Sequence, residues 1–306
     1  MKILVTGGAG FIGSHLVDRL IKQGHKVVVV DNLSTGKKAN LNPKAKFYKI
    51  DICSPRISQV FQKEKPQIVF HLAAIPRVPL SVKDPISTSK VNILGTINIF
   101  RAGVEARVKR IIFASSSSVY GDQKKLPLKE SMTPNPISPY GLQKLTCEQF
   151  AKLFTQLYGI PIVSLRFFNV FGPRIDFNSD YSLVIGKFLK QKAEGRPLTI
   201  FGNGEQTRGF CYIDDVVEAN IKAMKSKKLK GKEIINISSG GSWSVNYLAK
   251  LIGGPRRYLP KRPGDVLHTK ADITLAKKLL GWQPKTSFEE GIKKTSQWFE
   301  KANKPR

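Results

Sequence analysis

The feature that most constrains the fold is a glycine-rich turn between two apolar segments at the start of the chain. Residues 2–6 form a short apolar run, and three glycines follow it at intervals of three. An apolar period typical of a helix covers residues 16–21, and a second apolar run, residues 26–30, ends at Asp31. The order strand, glycine turn, helix, strand predicts a βαβ unit.

The three glycines, Gly7, Gly10 and Gly13, suit the binding of a dinucleotide. The first permits a tight turn, the second lets the backbone approach a pyrophosphate, and the third lets the helix pack against the strand. The exposed N–H groups at the start of the helix can then hold a diphosphate. Asp31 can accept hydrogen bonds from a ribose hydroxyl and would repel a 2′-phosphate, so the unit predicts NAD rather than NADP.

Buried strands and helices alternate beyond this unit. That alternation predicts an α/β fold, namely a Rossmann-type doubly wound parallel sheet. Strands are predicted at residues 46–51, 67–74, 110–114 and 161–166, and helices at 57–63, about 85–106 with an interruption at Gly95, and 140–157.

From residue 168 onward the pattern changes to loops joined by short helices, predicted at 183–193, 245–251 and 273–280. This predicts a smaller substrate-binding cap over the carboxyl ends of the strands, where ligands of such folds bind. We therefore expect an NAD-binding Rossmann domain over residues 1–167, with 212–240 returning to it, and a cap formed by 168–211 and 241–306.

The net charge of +29 is the unusual feature of the composition. Such a field would attract nucleic acid, an anionic membrane surface or a nucleotide. Because aromatic residues do not interleave with the lysines, a solvated basic surface is the preferred interpretation, and nucleic acid is not an expected partner. No apolar run approaches the roughly 20 residues of a membrane helix, so we expect a cytoplasmic protein. The cysteines and histidines show no metal-binding spacing, which predicts no metal.

Tyr140 and Lys144 stand four residues apart on a predicted helix and therefore share one of its faces. A tyrosine with a pKa of about 10 is a poor base at neutral pH. A neighbouring ammonium group and a positive nicotinamide ring would both lower that pKa, so Tyr140 is a candidate general base. The serine run at residues 115–118 precedes this pair at the end of a predicted strand.

These motifs together resemble the extended short-chain dehydrogenase/reductase family. The glycine turn, the serine run before Val119-Tyr120-Gly121 and the Tyr140–Lys144 pair carry the resemblance. Residues 166–173, 206–210 and 262–265 are similar to segments of its NAD-dependent nucleotide-sugar epimerases. The resemblance covers nearly the whole chain and implies a homodimer that forms through the helices of Asn92 and Tyr140.

The resemblance also implies a set of residues that contact the cofactor. The loop Ser34, Thr35 and Gly36 would lie beside the adenosine ribose, and Lys144 would orient the nicotinamide ribose. The other matching positions are Gly7, Gly10, Phe11, Ile12, Gly13, Asp31, Asn32, Asp51, Ile52, Leu72, Ala73, Ala74, Asn92, Ser116, Tyr140 and Phe168.

A second set is implied for a UDP-hexose substrate. Ser116 matches the serine that hydrogen-bonds the sugar 4-hydroxyl, with Ser117 and Ser118 nearby. Gly209 departs from the family, which usually has aspartate there, and Leu142-Gln143 replaces a small-residue pair; Gly209 leaves the positioning of Arg208 in question. The matching positions for the nucleoside diphosphate are Asn169, Arg208, Arg262 and Asp265, and those near the uracil and sugar are Asn178, Tyr181 and Val184.

The serine run bears on the reaction. Related sugar dehydratases need an Asp-Glu pair there and sugar-acid decarboxylases need a glutamate, whereas this chain has Ser117-Ser118. The resemblance therefore implies a 4-epimerase that interconverts UDP-galactose and UDP-glucose through a 4-keto sugar, with Tyr140, Lys144 and Ser116 as catalytic residues. Thr269 matches a pocket position that is tyrosine in some members restricted to non-acetylated sugars, so UDP-N-acetylglucosamine epimerisation is an alternative. A basic nucleotide- or RNA-binding scaffold is the alternative without catalysis.

Overall fold

The β-branched runs of the sequence form the middle of one parallel sheet. A computed structural model describes residues 1–177, 184–261 and 266–303. All neighbouring strands of this sheet pair in parallel. In order across the sheet they are β11 (Ile234–Ile237), β6 (Ile162–Phe167), β5 (Arg110–Ser116), β4 (Ile68–His71), β1 (Lys2–Thr6), β2 (Lys26–Asp31) and β3 (Lys46–Lys49).

Helices cover both faces of the sheet, because its central strands are buried on both sides. One face packs against α1 and α8, and the other packs against α2, α5 and α6. The predicted doubly wound α/β fold is therefore confirmed. These helices, with two short ones, are α1 (Phe11–Lys22), α2 (Arg56–Glu64), α3 (Val78–Lys83), α4 (Pro85–Ser89), α5 (Thr96–Glu105), α6 (Pro139–Tyr158) and α8 (Ile213–Lys225).

Several element boundaries differ from the predicted ones, and β3 ends at Lys49 rather than at residue 51. The predicted interruption at Gly95 is a π-helical turn, Lys90–Gly95, which joins α4 to α5. A Cβ at Gly95 would lie 2.7 Å from Ile52, so glycine serves close packing here rather than ending the helix. Strand β4 ends at His71, which places residues 72–74 in a loop, and β5 continues through Ser116.

The remaining elements form the smaller part of the molecule. Helix α8 and helix α11 (Phe288–Ala302) were not predicted from the sequence. The ring of Phe288 stacks on Trp243 at 4.5 Å and on Phe210 at 5.0 Å, which ties α11 to the short strands. Residues 234–237 join the main sheet beside β6, while the division into two domains remains a proposal. These elements are β7 (Val170–Phe171), α7 (Val184–Ala193), β8 (Leu198–Phe201), β9 (Thr207–Arg208), β10 (Cys211–Tyr212), β12 (Trp243–Ser244), α9 (Val245–Ile252), β13 (Arg256–Leu259), α10 (Thr274–Leu280) and α11 (Phe288–Ala302).

A chain of buried hydrogen bonds joins the ends of β1 and β4 to the start of α5. The Thr6 hydroxyl lies 2.7 Å from His71 Nδ1 and accepts a bond from the Ala73 N–H at 3.2 Å. His71 Nε2 lies 2.9 Å from the Thr96 hydroxyl, which donates to the Asn92 carbonyl at 2.6 Å. All donors are satisfied when His71 is neutral, with its proton on Nε2 and Nδ1 accepting from Thr6.

The surroundings of His71 favour this neutral form. Its ring lies between Phe100 and Phe113 and is almost completely inaccessible to solvent. Burial lowers the pKa of His71 to about 3, and the positive charge of Lys144 acts in the same direction. Protonation would also convert Nδ1 into a donor facing the Thr6 hydroxyl, so the network itself disfavours a charged imidazole.

The free energy of unfolding should therefore decrease as the pH falls below 6.5. The unfolded chain binds a proton at His71 below that pH, whereas the folded chain excludes it until about pH 3. Each pH unit in this window should cost about 1.4 kcal/mol from this group. Urea unfolding of the wild type and of His71→Gln at several pH values measures the difference, with His25→Gln, at a more exposed histidine, as control. A His71→Gln variant that kept the wild-type pH slope would contradict the assignment.

Candidate active site

The glycine turn between β1 and α1 brings backbone close to backbone. Gly7 has φ +71°, in the left-handed region that favours glycine. A Cβ at Gly13 would lie 2.1 Å from the Gly7 carbonyl oxygen, and one at Gly10 would lie 3.1 Å from it. Helix α1 begins at Phe11, and no side chain of the described residues caps its N-terminus. Its first N–H groups are therefore available to a diphosphate, as NAD binding requires.

Asp31, at the end of β2, is held rigidly beside this turn. Its carboxylate accepts hydrogen bonds from the Ala9 N–H at 3.0 Å and the Leu33 N–H at 2.8 Å. A Cβ at Gly36 would lie 2.9 Å from Oδ1, so the loop after β2 closes against the acid. Because each carboxylate oxygen can accept two hydrogen bonds, both retain capacity for ribose hydroxyls. The site fits NAD in this respect.

Asp51 and Ile52, which are predicted to contact the cofactor, follow the end of β3. Asp51 accepts hydrogen bonds from the Cys53 N–H at 2.8 Å and from Asn32 Nδ2 at 2.7 Å. Burial raises the pKa of Asp51, but these hydrogen bonds outweigh it and hold the pKa below its usual value. Ile52 is buried, whereas Asn32 and the loop residues 34 and 35 are exposed. This pair of residues therefore supplies a fixed acid and an apolar side chain.

Asn92 fixes the loop that follows β4. Its side-chain oxygen accepts from the Ile75 N–H at 2.7 Å, and its nitrogen donates to the Ile75 carbonyl at 3.1 Å and to Gln143 Oε1 at 2.7 Å. Gln143 in turn donates to the hydroxyls of Thr88 and Ser89, each at 3.0 Å. The amide of Asn92 thus contacts protein groups and positions residues 72–75, which border the predicted cofactor site. Gln143 is a buried part of this arrangement that sequence reasoning noted only as a departure.

Helix α6 brings the predicted base to the serine run. Its N-cap Ser138 accepts from the Gly141 N–H at 3.1 Å, and the Tyr140 N–H donates to Ser81 at 3.0 Å. A Cβ at Gly141 would lie 2.5 Å from the Ser118 carbonyl oxygen, so glycine permits the helix to reach the strand end. Ser116, whose hydroxyl donates to Ser118 Oγ at 3.1 Å, lies close enough to the Tyr140 hydroxyl to lower the pKa of the phenol. The structure therefore places Tyr140 and Ser116 together, as the sequence analysis expects.

Lys144 lies one turn further along α6. Its ammonium donates to the Ala114 carbonyl at 2.7 Å and lies 4.8 Å from the centre of the Phe113 ring and 5.9 Å from that of Tyr140. Burial lowers the pKa of Lys144 to about 8, against the opposing effects of Cys147 and Glu148. The Lys144 ammonium therefore lies near the Tyr140 ring, but the buried surroundings do not strongly stabilise its charged form.

One electrostatic expectation is wrong for the protein groups by themselves. Burial raises the pKa of Tyr140 to about 12, and the neighbouring Ser116 hydroxyl offsets only part of this rise. Lys144 does not lower it below the usual value, because its ammonium faces the Ala114 carbonyl and the faces of two rings. The protein groups alone therefore favour the neutral phenol at Tyr140.

A buried ion pair fixes α6 against the sheet. Arg166 on β6 donates to both carboxylate oxygens of Glu148, at 2.8 and 2.7 Å. Ser115 on β5 donates to the same carboxylate at 2.6 Å. The guanidinium also lies 4.5 Å from the centre of the Tyr120 ring, just beyond the serine run. Sequence reasoning missed this pair, because Glu148 belongs to no motif and Arg166 was considered only as part of the segment 166–173.

The substrate-side residues converge on the backbone of Gly209. Asn169 Nδ2 donates to the Gly209 carbonyl at 2.8 Å, and the Gly209 N–H donates to Thr269 Oγ1 at 3.0 Å. Arg208 donates from Nη1 to the Leu267 carbonyl at 3.1 Å. Two predicted substrate residues thus fix the position at which the family usually has aspartate, and Arg208 is held without that acid.

A cavity of about 370 Å³ lies at the end of β8, within the size range of small-molecule pockets. Its walls include Phe201, Gln206, Lys261 and His268. Val184 begins α7, while Asn178, Tyr181, Arg262 and Asp265 lie outside the described residues.

The described residues contain neither a cluster of metal-ligating side chains nor a helix suited to crossing a membrane. Within residues 1–177, 184–261 and 266–303, no group of three or more histidine, cysteine, aspartate or glutamate side chains could hold a metal ion. Over the same ranges no helix has both the length and the apolar character that crossing a membrane requires.

Phe168, a predicted cofactor contact, is buried beside Tyr120, with ring centres 6.2 Å apart.

Comparisons with known proteins agree with this geometry. The model of the NAD dependent epimerase/dehydratase family matches residues 3–238. The UDP-glucose 4-epimerase of Mycolicibacterium smegmatis is 37% identical over 311 residues, which cover 98% of each chain. The structure of the Thermotoga maritima UDP-glucose 4-epimerase with UDP-glucose is 42% identical, with a TM-score of 0.95, over 99% of this chain and 100% of that one. The UDP-N-acetylglucosamine 4-epimerase of Methanobrevibacter ruminantium, in complex with UDP-N-acetylmuramic acid, is 40% identical, with a TM-score of 0.93, over 98% of both chains.

The glycine turn with its fixed acid, the Tyr140–Ser116–Lys144 group and the near full-length similarity lead to one assignment. They confirm the resemblance that the sequence motifs carry. Of the two predicted classes, an isomerase and a binding scaffold without catalysis, they support the isomerase. The chain belongs to the NAD dependent epimerase/dehydratase family, as an NAD-dependent nucleotide-sugar epimerase of the extended short-chain dehydrogenase/reductase type.

Proposed function

We propose that this protein is a UDP-glucose 4-epimerase, which interconverts UDP-galactose and UDP-glucose through a transient 4-keto sugar. One observation carries the proposal. Helix α6 packs on the serine run through Gly141, which places Tyr140 beside Ser116 at the end of β5, and the next two residues of the run, Ser117 and Ser118, carry no carboxylate. A proton acceptor is therefore present where a sugar hydroxyl would be oxidised, without an adjacent acid for elimination.

The side chains of this site divide the proton chemistry between them. Tyr140 takes the proton of the sugar 4-hydroxyl as general base and returns it after the sugar has turned, and Ser116 helps the transfer. Bound NAD supplies reversible hydride acceptance at sugar C4 and a positive ring that favours the Tyr140 phenolate. Lys144, held by the Ala114 carbonyl, keeps a cation beside the cofactor ribose. The proton and the hydride both return to the sugar, so no net reductant is consumed.

The Tyr140→Phe variant tests this assignment. It should lower kcat for conversion of UDP-galactose to UDP-glucose by roughly a hundred- to ten-thousandfold, because it removes the proton acceptor and leaves the fold intact. The assay contains no added reductant, and the NAD content of the purified protein is measured in parallel. Tyr158→Phe, at an exposed tyrosine on the same helix, is the matched control and should keep full activity. Near wild-type turnover by Tyr140→Phe would remove Tyr140 from the catalytic role.

A second candidate substrate is a UDP-N-acetylhexosamine. The observation that favours it is Thr269, a small side chain whose hydroxyl is turned toward the Gly209 N–H. Thr269 therefore leaves space where a larger residue would fill the pocket. One of the similar solved structures is a UDP-N-acetylglucosamine 4-epimerase, which supports a pocket of this kind in close relatives.

Thr269→Tyr should separate the two substrates. We expect it to reduce turnover of UDP-N-acetylgalactosamine by roughly ten- to a hundredfold relative to UDP-galactose, because a tyrosine side chain would occupy the space of the acetyl group. Parallel kcat/KM measurements on both sugars check this, with Thr269→Ser as the control that keeps the hydroxyl and the small volume. Equal exclusion of the acetylated sugar by the wild type and by Thr269→Tyr would refute the role of Thr269.

We further propose a homodimer that forms through α6 and the segment from α4 to α5. Among the described residues, this pair of neighbouring helical segments carries exposed apolar side chains in unusual number. Exposed fractions there reach 83% for Ile86 and 60% for Leu94. The others on these segments are Leu142, Leu153, Leu157 and Tyr158.

Replacing one of these side chains by a charge should separate the subunits. Leu142→Glu places a carboxylate in the centre of the proposed interface, where burial without a partner is costly. Light scattering should then give the mass of a monomer, and the wild type that of a dimer. Leu126→Glu, at an exposed leucine outside these helices, should remain dimeric. A wild type that is monomeric at all concentrations would show that the apolar surface serves another purpose.

A further inference from the structure

Residues 172–177 form a segment, here called the strap, that leaves β7 and lies against α1. The Pro173 carbonyl is 2.9 Å from His15 Nε2, and Arg174 forms an ion pair with Asp18 at 2.8 Å. Both partners are on α1, the helix that follows the glycine turn. These contacts fix the first half of the strap next to the predicted diphosphate site.

The second half of the strap contacts the loops on either side of that site. Asp176 pairs with Arg77, in the loop after β4, at 2.6 Å. The ring of Phe177 lies 5.6 Å from the ammonium of Lys37, in the loop after β2. That loop is itself joined to the glycine turn, because the Lys37 N–H donates to the Ala9 carbonyl at 3.0 Å.

The strand order shows what the strap crosses. Strand β1 lies between β4 and β2, so the glycine turn after β1 lies between the loops of Arg77 and Lys37. A segment that contacts both loops and α1 must pass over the turn whose N–H groups would hold the diphosphate. Of the contacts named here, the Arg77–Asp176 pair joins the strap to the β4 side, and the others hold it to α1 and to the β2 side.

The strap also connects to the substrate side. A Cβ at Gly186 on α7 would lie 2.9 Å from the Asp176 carbonyl oxygen, so the strap packs directly on this helix. The ring of Phe177 packs against Phe299 on α11, with centres 4.7 Å apart. Helices α7 and α11 therefore pack against the strap, while the side chain of Asp176 faces the loop of Arg77.

We propose that the Arg77–Asp176 ion pair closes the strap over bound NAD and sets the rate at which the cofactor leaves. Both side chains are only partly exposed, 20% for Arg77 and 39% for Asp176, so solvent screens the pair incompletely. An epimerase returns the hydride to the same sugar and therefore needs its cofactor to stay in place between the two half-reactions. The inference rests on the NAD dependence of the family and not on the identity of the sugar.

Exchange of bound NAD tests the proposal without any sugar substrate. Holoenzyme is mixed with an excess of isotopically labelled NAD, and the rate at which labelled replaces unlabelled cofactor is measured at low and high salt. Arg77→Met and Asp176→Asn should each exchange about three- to fivefold faster than the wild type at low salt, as expected for a partly exposed pair. High salt should accelerate exchange in the wild type and have less effect on either variant.

Combined variants separate the ion pair from the other contacts of these residues. Arg77→Met with Asp176→Asn should exchange no faster than either single variant, because both changes remove one interaction. Arg77→Asp with Asp176→Arg should restore exchange toward the wild-type rate. Arg101→Met, which removes one partner of the exposed Arg101–Glu105 pair on α5, is the matched control and should leave exchange unchanged.

Three results would overturn the proposal. Unchanged exchange in both single variants would show that the pair does not limit NAD release. Faster exchange in Arg77→Met but not in Asp176→Asn would assign Arg77 to a direct contact with the diphosphate. Additive effects in the double variant, with no recovery in the charge-exchanged one, would mean that the two residues act separately. Wild-type protein that contains no NAD and binds none when it is added would instead count against NAD dependence itself.

Discussion

The geometry of this active site depends on the buried ion pair between Glu148 and Arg166. Two charges taken out of water are stable only with excellent geometry, which the two hydrogen bonds between them and the bond from Ser115 supply. The pair joins α6 to β5 and β6 within two turns of Tyr140. Because Ser115 precedes Ser116 directly, the same contact fixes both the helix that carries Tyr140, the candidate base, and the strand end that carries Ser116.

Glycines and buried hydrogen bonds fix the rest of the site. The glycines allow helices to approach the strand ends closely, and the hydrogen bonds hold the loops between them. Gly13 lets α1 touch the turn after β1, and Gly141 lets α6 touch the end of the serine run. The network through His71 and Asn92 then fixes the loop after β4 relative to both. The walls of the cofactor site are thus bonded to one another through the protein interior, which favours a preformed site.

Part of the large positive charge has a structural use. The ammonium of Lys228 donates to the Lys278 carbonyl at 2.9 Å, and Arg110 donates to the carbonyls of Ala223 and Ser226 near the end of α8. Cations at helix C-termini satisfy carbonyls that the helix leaves unpaired and interact favourably with its dipole. These contacts support the interpretation of the basic run as a surface feature.

The sequence by itself determined the parallel sheet, the glycine turn with Asp31 and the association of Tyr140 with the serine run, because each depends on local periodicity or on a motif of fixed spacing. The tertiary structure decided the partners of Glu148, the hydrogen bonds of Asn92 and Gln143, the raised pKa of Tyr140 and the pairing of Arg77 with Asp176. Those features depend on contacts between segments far apart in the chain and on the exclusion of water from them. Neither leaves a local pattern in the order of residues.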